Sequence, residues 1–422
     1  MIFEGLAFKE LKEDEVLFFI RIRGKSSYFS EVYSHRFIDL FESIDQHRCI
    51  SEYKKDAHIH IDLNAVSRDY LYEEEYNHLT SLSSIEEIIK RCRGLRAISY
   101  VEASKLIARC YLFFISFYNA SPSLKLVVTG TIDNYVMDLM VRVGKDLGVN
   151  FFALTGSLMS PEYHLSTVRG KLTSLGKIDK SSLKAFEEKI LSNINNCSTP
   201  KIRFIIKGAI YNYLSYHYRF MVRYLFKYKV LGRMEYEYRF APFLHGFKSI
   251  KQLVSLRYLN DAPELFKDKE IKKAYIPLHW YPEATTDYWI ESLYHVDYYT
   301  SVMNTIDQLQ KQGYEVYAKE HPHFILSRES KFYQAIKNKG CNLLSPFICT
   351  KKVFDNVDLV VVWNGSTGIE ALLYGKETRK VVNSYYGDNL ISDIKGNKIV
   401  EINKTTMAKK CLEKIYSSSF KT

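Results

Sequence analysis

The chain has no run of about 18 or more uncharged apolar residues, which excludes the ordinary pattern of a membrane-spanning helix. Its first residues, MIFEGLAFKELKEDE, lack the basic-then-apolar layout of a secretory signal. A cytosolic protein is expected. No CxxC pair occurs, and 7 cysteines scattered over 422 residues do not make a disulfide framework. Reduced, structural thiols are expected. Neither an internal repeat nor a low-complexity tract is visible, and no GxxxxGK followed by Ser or Thr offers a Walker phosphate loop.

One segment lacks charge of one sign altogether. From Lys201 to Arg233 (KIRFIIKGAIYNYLSYHYRFMVRYLFKYKVLGR) eight Lys or Arg stand with no Asp or Glu, interleaved with Tyr and Phe. Basic and aromatic residues at helical spacing suit a helix lying on an anionic bilayer, with rings at headgroup depth and each cation adding up to about 1 kcal/mol. A core helix with a basic solvent face has the same composition, and nucleic acid would be met by similar residues. The formal net charge of +11 implies acidic partners without choosing among them. An anionic membrane surface is the partner carried forward; nucleic acid is not.

What is present is the composition of a globular protein with a sizeable core, 46% hydrophobic and 25% charged. Its 422 residues exceed the roughly 250 to 300 at which single cores stop growing, so two domains are expected. The C-terminal part alternates strands with helices. AYIPLHW (274–280) reads as a strand, followed by one long helix from about Thr286 to Gly313, then the strand YEVYAKEHP. SKFYQAIKNKG is a helix, CNLLSP a strand, and 351–357 a short helix. DLVVVWNGS is a buried strand, TGIEALLYG a helix, and TRKVVN a further strand. This order predicts βαβ units and a parallel sheet covered on both faces. An earlier unit, strand KLVVTG, helix from about Asn134 to Leu147 and strand VNFFALTG, predicts a second α/β half. The fold class expected is α/β, with two Rossmann-like domains facing a central cleft, divided at the polar stretch 258–273 into residues 1–260 and 261–422.

In open α/β sheets ligands bind beyond the carboxyl ends of the strands, which selects three loops of the second half. PLHWYPEATT carries His279 and Glu283, a base with its partner or a sugar-binding edge, with a satisfied core histidine as the plain competitor. YAKEHPHF carries Lys319, Glu320, His321 and Pro322. The proline ends the strand and holds His321 extended, so that its N–H and imidazole face the cleft. Lys319 shares that side and Glu320 takes the other; charged residues solvating a strand end would look alike. WNGSTGIE links a buried strand to a helix start. Its Gly365 and Gly368 permit close approach of a ligand, Ser366 and Thr367 can cap the helix, and free N–H groups beside Asn364 favour a phosphate. Glu370 is placed to accept from ribose hydroxyls, or simply to meet the helix dipole.

In this order the three loops, PLHWYPEATT, KEHPHF and VDLVVVWNGSTGIEALLYGK, resemble the capsule polysaccharide biosynthesis family, which includes bacterial β-Kdo transferases that use CMP-Kdo. The resemblance spans roughly Tyr275 to Lys376. It implies a GT-B glycosyltransferase without a cofactor, whose HP motif, here His321 and Pro322, binds the CMP phosphate. By the same resemblance Ser366 and Thr367 help hold that phosphate and Glu370 lies near the ribose; from their places in the loops, Lys319, Asn364 and Gly365 are assigned to the nucleotide and Glu283 and Glu320 to the donor sugar. The family's fold needs no metal, and this chain has no Asp-x-Asp.

Outside the three loops the match fades. The loop SLMSPEYHLSTVRG brings Glu162 and His164 towards the cleft, and Glu162 is a candidate general base or nucleophile. The D/E-D/E-G motif of GT-B sialyltransferase-like enzymes is not intact there. Asp261 is a second candidate carboxylate, and His279 completes the catalytic set. The implied partners are a nucleotide sugar, a glycan or lipid-linked acceptor and the inner face of a bacterial membrane. Two other readings stay open: the same fold with a UDP-sugar or CDP-polyol donor, and a non-catalytic membrane- or polyanion-binding scaffold.

Overall fold

The computed structural model describes residues 15–20, 48–51, 59–96, 98–156, 162–174, 180–196, 270–281, 283–324, 328–383, 386, 391–394 and 404–421, with five positions between 203 and 214. Asp261 and most of the basic aromatic segment lie outside the described residues. The five positions described there, Arg203, Lys207, Ile210, Tyr211 and Leu214, are helical and exposed.

Two sheets organise the chain. The first contains β1 (Val16–Ile20), β2 (Arg48–Ser51), β3 (Ile59–His60), β4 (Leu126–Gly130), β5 (Asn150–Gly156) and β6 (Glu162–Ser166). The second contains β7 (Lys273–Pro277), β8 (Glu315–Lys319), β9 (Asn342–Leu344), β10 (Leu359–Val362), β11 (Glu377–Lys380) and β12 (Ser392–Asp393). Strand β13 (Ser419–Lys421) returns to the first sheet, antiparallel to β6. The spatial orders are β13-β6-β5-β4-β1-β2-β3 and β12-β11-β10-β7-β8-β9. Every pair is parallel except those made by β6. Renumbered from its own first strand, the second sheet runs 3-2-1-4-5-6, the doubly-wound order of a dinucleotide-type fold, and the first runs the same with β13 added beyond its sixth strand. The two Rossmann-like halves of a GT-B-like architecture are therefore present.

The apolar runs explain the strands. Leu359 to Val362 is buried throughout, as a parallel strand sandwiched between helix layers must be. Helix Tyr100–Asn119 starts in a capping box formed by Ser99 and Glu102 and buries Ile107, Tyr111, Phe114 and Tyr118 at helical spacing.

The expected single helix from Thr286 to Gly313 is three pieces, Ala284–Asp287, Leu293–Val296 and Tyr298–Lys311. The break has a tertiary cause. Arg91 of the first half donates to the carbonyls of Asp287, Ile290 and Glu291 at 3.1, 2.8 and 2.8 Å, which a continuous helix would occupy itself. Asp297 then caps the last piece by accepting from Thr300 N–H. The halves also interlock at Gly170, whose φ of +79° and absent side chain seat the Trp289 ring; a Cβ there would lie 2.3 Å from it. Helix Lys180–Asn195 packs Phe186, Ile190 and Ile194 into the second half's cluster with Cys411 and Ile415.

Cys92, Cys110, Cys341 and Cys411 are free and buried. Cys349, by contrast, is disulfide-bonded, correcting the expectation of reduced thiols throughout; cysteine spacing cannot see a single pair made by the fold.

Candidate active site

A cavity of about 730 Å³ lies where the sheets' strand ends face one another, within the size range of small-molecule sites. The loops after β7 and β10 form its floor, and these flank the strand-order reversal of the second sheet, the switch point where a doubly-wound sheet opens a crevice. The loop after β8 supplies one wall, and Thr131, Thr155 and His164 from the first half the opposite side. His279, Glu283, Lys319, Glu320, His321, Pro322, Asn364, Gly365, Ser366, Thr367 and Glu370 all border this one cavity.

After β7, the His279 N–H donates to the Tyr298 hydroxyl at 2.6 Å, fixing the loop. His279 Nε2 lies 2.7 Å from Thr285 Oγ1, and that hydroxyl donates to Glu283 Oε2 at 2.7 Å. Burial and the neighbouring Arg328 guanidinium push the His279 imidazole down to about 4, keeping it neutral. Burial pushes the Glu283 carboxyl up, against the pull of Thr285, Arg93 and His321.

After β8, Lys319 and His321 face the cavity side and Glu320 turns away, as strand alternation requires. Burial pushes the Lys319 ammonium down to about 8, opposed by the Glu370 charge; its Nζ donates to the Ile348 carbonyl at 2.7 Å. His321 is exposed, its ring 5.6 Å from that of Trp280. Its N–H does not face the cleft: it donates to Glu320 Oε1 at 2.7 Å, correcting the expectation from Pro322. Glu320 is fully buried, with Arg328 Nε at 2.6 Å and the Tyr333 hydroxyl donating at 2.7 Å. Arg328 also donates to the His279 carbonyl at 2.8 Å. One buried ion pair thus ties the backbone of the first loop to that of the second.

After β10, Ser366 has helical backbone angles and forms no side-chain cap, contrary to the capping expected. Its hydroxyl bonds Glu370 instead, restraining the upward push of burial on that carboxyl, with Lys319 adding to the restraint. Gly368 serves a protein contact: a Cβ would lie 2.2 Å from the Tyr386 hydroxyl, which donates to the Gly365 carbonyl at 2.9 Å. The glycine makes room for a tyrosine. Asn364 Nδ2 donates to the Thr285 carbonyl at 3.1 Å.

Glu162 opens β6 in register with Lys421; Asp261 is not described. Sequence reasoning missed Thr285 and Trp280, although both sit inside the quoted first loop. It missed Arg328 altogether, for which no local signal exists. His164, expected to turn towards the cleft, lines the cavity; it is 1% exposed, with Nδ1 3.1 Å from Ser418 Oγ. Burial pushes its imidazole down to about 4. Among the described residues no cluster of three His, Cys, Asp or Glu could hold a metal ion, and no helix is long and apolar enough to cross a membrane.

No protein-family model matches the chain, and no curated protein does. Among solved structures, a KpsC of Thermosulfurimonas dismutans described as a β-Kdo 2,7 transferase is 11% identical with a TM-score of 0.33, over 71% of this chain and 79% of that one. A KpsC of the same organism described as a β-Kdo 2,4 transferase is 13% identical with a TM-score of 0.35, over 69% and 79%. The UDP-GlcNAc 2-epimerase of Methanocaldococcus jannaschii is 9% identical with a TM-score of 0.24, over 92% of both chains.

Proposed function

We propose that the protein is a GT-B glycosyltransferase of bacterial surface polysaccharide assembly, transferring Kdo from CMP-Kdo to a glycan or lipid-linked acceptor with retention. The observation that carries this reading is the convergence of three strand-end loops, which in this order resemble one family, on one cavity at the switch point of the second sheet. In this reading residues 261–422 hold the donor and residues 1–260 the acceptor. Lys319 and His321 supply positive charge to the CMP phosphate, with Pro322 shaping their loop and the turn through Gly365, Ser366 and Thr367 closing round it. Glu370 accepts from the ribose. Glu283 faces the sugar, and Glu320 supports it from behind by holding the loop. A retaining route through a covalent intermediate needs a carboxylate opposite the anomeric carbon; Glu162 and Asp261 are the candidates, with neutral His279 as base.

The described positions Arg203, Lys207, Ile210, Tyr211 and Leu214 are helical and exposed, presenting cations and apolar side chains together on an exposed face. In this reading that face rests on the anionic inner membrane. The experiment is thermal unfolding with CMP, CDP, UMP, UDP and GDP, on wild type and His321→Ala. CMP at 100 times its dissociation constant stabilises the fold by about 2.7 kcal/mol, and the variant loses that gain. Protection by UDP or CDP in place of CMP replaces the donor; protection by none rejects the transferase reading in favour of a binding scaffold. Unchanged fractionation with anionic vesicles rejects the membrane role.

A further inference from the structure

Thr285 fixes the polarity of its neighbours through two atoms. Its carbonyl can only accept, so the group that Asn364 presents to it is the amide NH2. Asn364 Oδ1 therefore points away from Thr285; the residue is 3% exposed and Oδ1 has no partner among the described residues. The Thr285 hydroxyl has one proton and gives it to Glu283. It must then accept from His279 Nε2, which leaves Nδ1 of the neutral ring as a lone pair beside Gly365, 3.5 Å from where a Cβ would stand. Asn364 Oδ1, His279 Nδ1 and the Glu283 carboxylate, grouped around Thr285, are thus three acceptors in one corner of the cavity.

We propose that this corner is a subsite for hydroxyl groups and that Thr285 is the positioning residue that sets its polarity. A buried acceptor without a donor is costly, and the hydroxyls of a polyol chain supply the missing donors. The corner lies on helix Ala284–Asp287, whose end is gripped by the first half through Arg91 and the Arg93–Asp287 ion pair at 3.1 Å. It therefore faces the side where two substrates would meet, which assigns it the hydroxyls of the transferred sugar and not those of the nucleotide. That last assignment rests on the transferase reading; the polarity of the corner does not.

Calorimetric binding of CMP and CMP-Kdo to wild type and Thr285→Val tests the sugar assignment. CMP affinity stays within about threefold while CMP-Kdo affinity falls about tenfold or more, the loss of one buried hydrogen bond. Equal losses for both ligands, or no loss for either, overturn it. The second arm needs no ligand. In 15N-labelled protein, with the His279 signals identified by their disappearance in His279→Gln, the wild-type ring carries its proton on Nε2, and Thr285→Val shifts the tautomer. A proton on Nδ1 in wild type overturns the polarity. If wild type binds neither nucleotide, the transferase reading and the sugar assignment fall together, and the tautomer alone decides the corner.

Discussion

Two carboxylates within one cavity wall have opposite surroundings. Behind the loops, Glu320 is enclosed by Arg328, Tyr333 and the His321 N–H, with four aromatic rings within 5.6 Å of the guanidinium. In front, the Glu283 side chain is 43% exposed and accepts from the Thr285 hydroxyl. The difference teaches how to separate support from reaction. A buried ion pair with completed hydrogen bonds fixes a shape, because any incomplete version is heavily penalised. An incomplete acceptor set at a cavity surface is finished by water until a ligand replaces it.

The comparison breaks most sharply at Arg328. Arg328→Met leaves Glu320 buried without its cation and is expected to cost about 3–5 kcal/mol in urea unfolding. Adding Glu320→Gln should recover much of that loss, since the charge is then gone. A double variant as unstable as the single would mean that guanidinium packing, not charge, carries the effect.

Titration is the next probe. His164 and His279 are held at about 4 by burial, and for His279 by Arg328 as well, against about 6.5 in an unfolded chain. Both rings are neutral in the fold, so their contribution is complete above about pH 6.5 and is lost as pH falls towards 4, roughly 3 kcal/mol for each. Glu283 and Glu370, raised by burial, bind protons earlier in the fold than in the unfolded chain and offset part of that loss at the acid end. The urea midpoint of wild type should therefore drop steadily below pH 6.5, and His164→Gln should drop less. Parallel curves would remove His164 from the account.

The second half was legible because its strands are short, apolar and bounded by Gly and Pro, and because ligand loops follow from strand order alone. All three loops selected this way border the cavity, although Trp280 and Thr285 within the first were not singled out. What escaped depends on contacts distant in sequence. Arg91 breaks the expected helix at Asp287 from 196 residues away. Arg328 reaches back 49 residues to the His279 carbonyl. The side chain of Asn364 is oriented by a carbonyl 79 residues earlier. Gly368 was legible as a site of close approach, but whether a ligand or a tyrosine approaches is decided by Tyr386, which no local pattern announces.

That glycine gives a smaller test. Gly368→Ala places a methyl against the Tyr386 hydroxyl and is expected to cost about 2 kcal/mol, within the range for overpacking. Tyr386→Phe removes the obstructing oxygen together with its bond to the Gly365 carbonyl, at about 1 kcal/mol. The two changes should be strongly coupled, the double variant being more stable than the sum of the singles predicts. Additivity would mean that the glycine is needed for another reason.

The smallest effect is expected at Glu283 itself. Glu283→Gln keeps an oxygen for Thr285 and removes a charge that burial already disfavours, so unfolding should change by less than about 0.5 kcal/mol. The same neutralisation at Glu320 strips the partner from a guanidinium that is fully buried and should cost several times more. If both glutamines are equally harmless, the enclosed network is no support. If both are equally damaging, Glu283 belongs to the framework and the corner around Thr285 is part of the scaffold, with no ligand required to complete it.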